Sequence, residues 1–230
     1  MMWLTADESE ALRLSLSIAT RSVAFNLPAA VLIAWILTRV RFVGRTLLDA
    51  LVHLPLVLPP VVVGYVLLLL FGTHGFIGSW LQKVFGIELI FTRNGAALAT
   101  AVMSFPLMVR AMRISLENVD RGLEDAARTL GARAADRFAT ITLPLMLPGI
   151  VAGVITAFSA ALGEFGAVIT FVSNIPGETR TLPLALYTAL QSPGGEHAAA
   201  RLAGLSLGLG LAGLLLSEWF SRRVRRMLGR

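Results

Sequence analysis

Apolar residues fall into five long runs, separated by short polar segments rich in arginine. A helix that crosses a bilayer needs about 20 mostly apolar residues. The runs at about Leu14–Leu37, Leu48–Phe71, Gly95–Ile114, Leu145–Val172 and Ala198–Phe220 meet that length, so five spanning helices are predicted, or six if a shorter connection also inserts. The third run is free of charge only over Asn94–Val109, and its arginines are expected to snorkel to the interface. Arg21 interrupts the first run, whose start is read as an interfacial helix. Two connections carry structure of their own. Phe76–Ile87 reads as a short amphipathic helix. Thr181–Gln191 reads as a short helix or re-entrant turn, ended by Ser192-Pro193-Gly194-Gly195 and too short to span.

Composition agrees with this pattern. Hydrophobic residues make up 56% of 230, charged residues 15%, and mean hydropathy is +0.75. Soluble domains hold about a quarter charged residues, so the chain reads as an all-α, polytopic membrane protein. The absence of cysteine excludes disulfides and thiolate metal sites. His53, His74 and His197 lack ligand spacing, so no metal site and no bound cofactor are expected.

Net charge of +6 is better explained by topology than by nucleic acid. With the N-terminus outside, the inner loops and tail hold Arg39, Arg41, Arg45, Arg110, Arg113, Arg121, Arg128, Arg133, Arg137, Arg222, Arg223, Arg225, Arg226 and Arg230. The outer loops hold only Lys83, Arg93 and Arg180. Positive residues stay on the cytoplasmic side, which gives N-terminus out, C-terminus in. Residues 1–230 are read as one domain, with a cytoplasmic loop at about 116–144.

Pro28, Pro55, Pro59, Pro60, Pro106 and Pro148 lie within the runs. Each frees a backbone carbonyl, which suits a bundle that changes shape and is equally ordinary in membrane helices. Gly149, Gly153, Ala157 and Ala161 form a small-residue ridge on the fourth run, as Gly204 and Gly208 do on the fifth. Such ridges let helices pack closely, within a subunit or across a dimer.

The cytoplasmic loop is the most informative segment. Asp120 is a good helix N-cap, Glu124 and Asp125 sit near the positive end of the dipole, and Gly131 stands where a left-handed C-cap stops the helix. Val119, Leu123, Ala126, Ala127 and Leu130 are expected to share one face. Asp125-Ala126-Ala127, three residues, Gly131, nine residues, then Ile141-x-Leu143-Pro144 resembles the motif E-A-A-x3-G-x9-I-x-L-P of bacterial ABC importer permeases. Asp125 is the one departure, and Glu124 lies one place early. The resemblance implies a coupling helix that fits a cleft on an ATPase subunit, and the type I importer architecture. Lys83, the only lysine, follows Gln82, so no phosphate-binding Gly-Lys-Ser/Thr loop is present and ATP and Mg must be bound by a separate subunit.

Ala161–Ala167, containing Gly163-Glu164-Phe165-Gly166-Ala167, and Ser173–Leu190 resemble the molybdate permease family over essentially the whole chain. That likeness implies molybdate as cargo, with tungstate close behind; sulfate permeases share the Gly-Glu-Phe-Gly-Ala segment. It further implies a homodimer in a bacterial inner membrane, two ATPase copies and an extracytoplasmic molybdate-binding protein. From chemistry alone, a tetrahedral dianion needs hydrogen-bond donors without a tight trap. Thr156, Ser159, Thr170 and Ser173 are candidates, against the alternative that each hydroxyl bonds its own helix. Glu164 is costly inside a membrane and would repel an anion; a structural or gating role is expected of it. An ion-coupled transporter or a membrane-bound enzyme would need clustered intramembrane acids or histidines, which the runs lack.

Overall fold

The computed structural model describes residues 4–227, without the side chains of 214, 217, 218 and 220–227; the side chains of the tail arginines Arg222, Arg223, Arg225 and Arg226, and all of Arg230, lie outside that description. Among the described residues the chain is nearly all helical, with no strand.

α1 (Ala6–Arg39) begins with a capping box: Thr5 N–H donates to Glu8 Oε2 at 2.8 Å, and Glu8 N–H to Thr5 Oγ1 at 3.3 Å. Asp7 and Glu8 in the first turn complement the dipole. The helix therefore starts eight residues before Leu14 and runs unbroken through Arg21. Arg21 Nη1 donates to Asn94 Oδ1 at 2.9 Å.

The second run is not one straight span. α2 (Arg45–Val57) and α3 (Pro60–Phe71) meet at a bend of 116°. The cause is Pro59-Pro60: neither has an N–H to continue a helix, and Pro59 drives Leu58 to an extended ψ of 144°. Pro60 then opens α3 at a position where its missing donor costs nothing. α4 (Phe76–Phe85) is the short amphipathic helix read from Phe76–Ile87, capped by Gly86 at φ 67°.

α5 (Arg93–Glu117) starts on Thr92, whose side chain accepts from Gly95 N–H. α6 (Arg121–Thr129) and α7 (Ala134–Arg137) follow, then a π-helical turn over Phe138–Thr142 that leads straight into α8 (Leu143–Gly163). Leu143 N–H reaches back to Phe138 O, five residues away. Widening the helix here leaves room for the ring of Pro144, which would otherwise press on the carbonyl four residues earlier.

The fourth run also breaks: α8 ends at Gly163 and α9 (Gly166–Val172) is a separate helix. Glu164 is extended, at ψ 127°, and its Oε1 accepts from Ala167 N–H at 2.9 Å, satisfying a donor in the first turn of α9. α10 (Leu182–Gln191) is short, and α11 (Glu196–Met227) contains the fifth run.

By length and apolarity α1, α5 and the continuous rod Ala134–Gly163 can each cross a membrane, and the bent α2–α3 pair would make a fourth crossing. All five predicted runs are helical, and the second and fourth are each broken, at Pro59-Pro60 and at Glu164.

Packing centres on α5, which lies against α1 on one side and α8 on the other. Met108, Val109, Met112 and Leu116 of α5, Leu37 of α1 and Met146 of α8 are fully buried there. Lipid offers no hydrophobic drive between helices, so close fit and interhelical hydrogen bonds must hold them. Both are present. Asn26 Nδ2 donates across to Ala101 O at 2.8 Å. The Gly149–Ala161 ridge is buried, and a Cβ on Gly149 would strike the Ser115 side chain, while one on Gly153 would lie 3.1 Å from Met108 O. This ridge packs inside the subunit. Gly204 and Gly208 have nothing within 4 Å of a built Cβ.

Candidate functional site

α6 has the form expected of it. Asp120 Oδ1 accepts from Gly122 N–H at 2.8 Å, the N-cap bond. At the other end Gly131 N–H donates to Arg128 O and Ala132 N–H to Ala127 O, both at 3.0 Å, while Gly131 takes φ +85°. This is a complete Schellman stop, and it needs a residue at ease in left-handed backbone. The helix is thereby fixed to nine residues.

Its inner side is anchored by charge. Glu124 Oε1 lies 3.1 Å from Arg39 Nη2 at the end of α1 and accepts from Thr142 Oγ1 at 2.8 Å in the π turn. Arg121 Nη2 donates to Thr38 O and Arg39 Nη2 to Val119 O, each at 3.2 Å. Phe138 meets Trp35 of α1 edge to face, ring centres 6.3 Å apart. One short helix is therefore tied both to α1 and to the root of α8.

Its outer side is bare. Leu123 is 49% exposed and Leu130 88%, with Ala126 exposed and Ala127 half-buried between them. Large apolar side chains left outside a bundle, on a helix rigidly held from behind, mark a surface for a partner. Val119, expected on this face, is instead buried in the α1–α5–α8 core.

The motif residues divide by role. Asp125 is exposed, whereas Glu124, one place early, makes the inward contacts. Ile141 lies within the π turn and Leu143 and Pro144 open α8, so these three shape the root of the rod. Arg39 and Thr142, which do the anchoring, were not singled out as site residues: Thr142 is the unspecified position of I-x-L-P, and Arg39 counted only toward topology.

The pathway candidates are not brought together. Thr156 and Thr170 each donate to a carbonyl four residues back in their own helices, at 2.8 Å, so their hydroxyl hydrogens are spent. Ser159 lies on α8 facing Gly213 of α11. Ser173 ends α9, exposed at φ +62°, and its carbonyl accepts from Thr179 Oγ1 at 2.9 Å. Glu164 sits at the α8–α9 break, half-buried on Ala167 N–H. A second unpredicted cluster joins α2 to α5: Arg113 Nη1 lies 2.8 and 2.9 Å from the two carboxylate oxygens of Asp49, and Arg113 Nε lies 3.0 Å from Glu117. Asp49 was hidden in the polar edge of the second run.

Residues 26–226 match the family of binding-protein-dependent transport system inner membrane components. The chain is 58% identical over 229 residues to the molybdenum transport system permease protein ModB of Escherichia coli K12, covering all of both chains. It is 54% identical over 222 residues to ModB of Haemophilus influenzae, covering 96% of this chain and 97% of the other. To the sulfate transport system permease protein CysT of Escherichia coli K12 it is 43% identical over 203 residues, 87% of this chain and 73% of the other. Among solved structures, the fold is similar to a bacterial alginate ABC transporter in complex with its periplasmic protein (TM-score 0.77, 18% identity, 97% of this chain and 81% of that one) and to the inward-facing methionine ABC transporter MetNI (TM-score 0.69, 17% identity, 97% of each chain). The chain therefore belongs to the family of binding-protein-dependent transport system inner membrane components, and within it to the molybdenum transport permeases.

Proposed function

We propose that the chain forms the translocation pathway of an ATP-driven molybdate importer in a bacterial inner membrane, with tungstate as a near-isosteric cargo. It works as a homodimer with two copies of a cytoplasmic ATPase, which binds ATP and Mg, and receives oxyanion from an extracytoplasmic molybdate-binding protein. The N-terminus lies outside and the C-terminus inside, as the arginine distribution favours.

The observation that carries this reading is the two-sided nature of α6: exposed Leu123, Ala126 and Leu130 in front, Glu124 and Arg121 fixed to α1 and α8 behind. A force applied to the front cannot be absorbed by the loop alone. It passes through Arg39 into α1 and through Thr142 into α8, and those two rods flank α5. Closure of the ATPase pair drives the coupling helices together and rocks the rods between inward- and outward-facing arrangements; hydrolysis resets them. This chain performs no covalent step.

The test is ATP-dependent accumulation of molybdate in proteoliposomes holding the permease, its ATPase and its binding protein. Ala127→Asp, which puts a charge on the docking face, abolishes assembly and uptake if the reading is right; uptake unchanged in that variant overturns it. The sulfate reading rests on the CysT relatives, and excess sulfate that competes away molybdate uptake would select it.

A further inference from the structure

Beside the coupling helix lies a cleft of about 510 Å³ lined by Arg39, Arg41, Arg45 and Arg121, with Thr38, Glu117, Val119 and Asp120. Arg39 is already paired with Glu124 at 3.1 Å and Glu117 with Arg113 at 3.0 Å, which leaves Arg41, Arg45 and Arg121 against Asp120. The cleft therefore carries excess positive charge. Arg39 and Arg121 are held by the α6 contacts, whereas Arg41 and Arg45 make no hydrogen bond or ion pair among the described residues. Arg39 is 91% buried along its side chain, with its Nε buried and unpartnered. Guanidinium donors left unmet in a partly enclosed site match an oxyanion.

The rim of the cleft indicates where that oxyanion comes from. Phe42 and Val43, between the two free arginines, are 40% and 104% exposed, and Leu47 on the next turn is 65% exposed. Apolar side chains beside arginines at the end of a membrane-crossing helix place the tip in the bilayer interface, where acyl chains and phosphates are both within reach.

We propose that this cleft binds a phosphate group, supplied by the headgroup of an anionic phospholipid, with Phe42, Val43 and Leu47 against its acyl chains. Because Arg39 and Arg121 also hold α6, an occupied cleft stiffens the joint between the coupling helix and α1. The site is separate from the cargo reading and stands or falls without it.

The experiment uses the complete permease–ATPase complex, extracted from vesicles of phosphatidylcholine doped with phosphatidylglycerol and examined by native mass spectrometry. Wild type retains phosphatidylglycerol; Arg41→Gln/Arg45→Gln retains it more weakly by at least about tenfold, and the single Arg41→Gln, at an exposed position, is intermediate. Lys83→Gln, on the short amphipathic helix α4, leaves retention unchanged. In a second arm, inorganic phosphate is added to complex in pure phosphatidylcholine. A thermal shift in wild type that the double variant lacks supports the site and assigns its ligand to a soluble oxyanion. Equal retention in wild type and double variant, or equal loss in Lys83→Gln, overturns the proposal.

Discussion

Glu124 on α6 and Arg39 at the end of α1 form an ion pair 3.1 Å long, and the same carboxylate oxygen accepts the Thr142 hydroxyl. One side chain thus joins three elements far apart in sequence. The pair is mostly shielded, with the Arg39 side chain 9% exposed and that of Glu124 21%. In the proposed importer it is the joint through which movement of α6 would reach the bundle.

Glu124→Gln keeps an oxygen for Thr142 but removes the charge from Arg39. A charge-assisted bond of this kind is worth about 1.5–3 kcal/mol when buried, and partial exposure brings it toward 1. The expected result is a complex that still assembles but hydrolyses ATP with transport reduced several-fold per ATP. Asp125→Asn, on the exposed side, changes that ratio little. Uptake per ATP measured in proteoliposomes distinguishes the two, and equal effects would remove Glu124 from the joint.

Gly131 sits at φ +85° with open space around a built Cβ. Sterics against neighbours are therefore absent, and any cost of substitution comes from the backbone. Gly131→Ala is expected to cost about 1–2 kcal/mol of local helix-end stability, and Gly131→Asn distinctly less, since Asn tolerates left-handed backbone. Hydrogen exchange of Leu130 and Gly131 amides would report the fraying; an Ala variant protected like wild type would refute the strain argument.

Much of this site was legible in the sequence because its determinants are local. Asp120, Gly131 and Pro144 impose cap, stop and helix start through their own backbone chemistry, and the arginine distribution needs no tertiary information. The breaks were harder to see. Pro59-Pro60 is a strong local signal, yet a hydropathy run counts proline inside it as apolar length, so α2 and α3 read as one span. At Glu164 no proline intervenes; the break depends on a carboxylate capping Ala167 N–H, next to the close approach of Gly166 to Pro60 and of Gly64 to Ala167 O. Pairings such as Arg39–Glu124 and Asp49–Arg113 span 85 and 64 residues, and a single sequence does not specify them.

Asp49 and Arg113 supply a third prediction. Their contact ties the first turns of α2 to α5, with both side chains about a quarter to a third exposed. A pair in that setting is worth about 0.5–1 kcal/mol. Asp49→Asn and Arg113→Gln should each lower the thermal midpoint of the complex. The double variant should lose less than the two losses added, because either single change already removes the contact between the two side chains. Strict additivity in a double-mutant cycle would show that the contact contributes nothing.

The last prediction separates the two roles open to Glu164. Its Oε1 holds Ala167 N–H at 2.9 Å and so starts α9, which packs on α3 through Gly64. If that acceptor is its contribution, Glu164→Gln supplies an equivalent oxygen and keeps uptake within about twofold, while Glu164→Leu leaves the donor bare and costs about 1 kcal/mol. If instead the negative charge gates an anion, Gln itself changes uptake at unaltered stability. The geometry favours the first outcome, since the bond made is to a backbone N–H that an amide oxygen serves equally well. Uptake and thermal midpoint measured together on the two variants decide it. A Gln variant stable as wild type but with transport changed tenfold or more would move Glu164 from the scaffold to the gate.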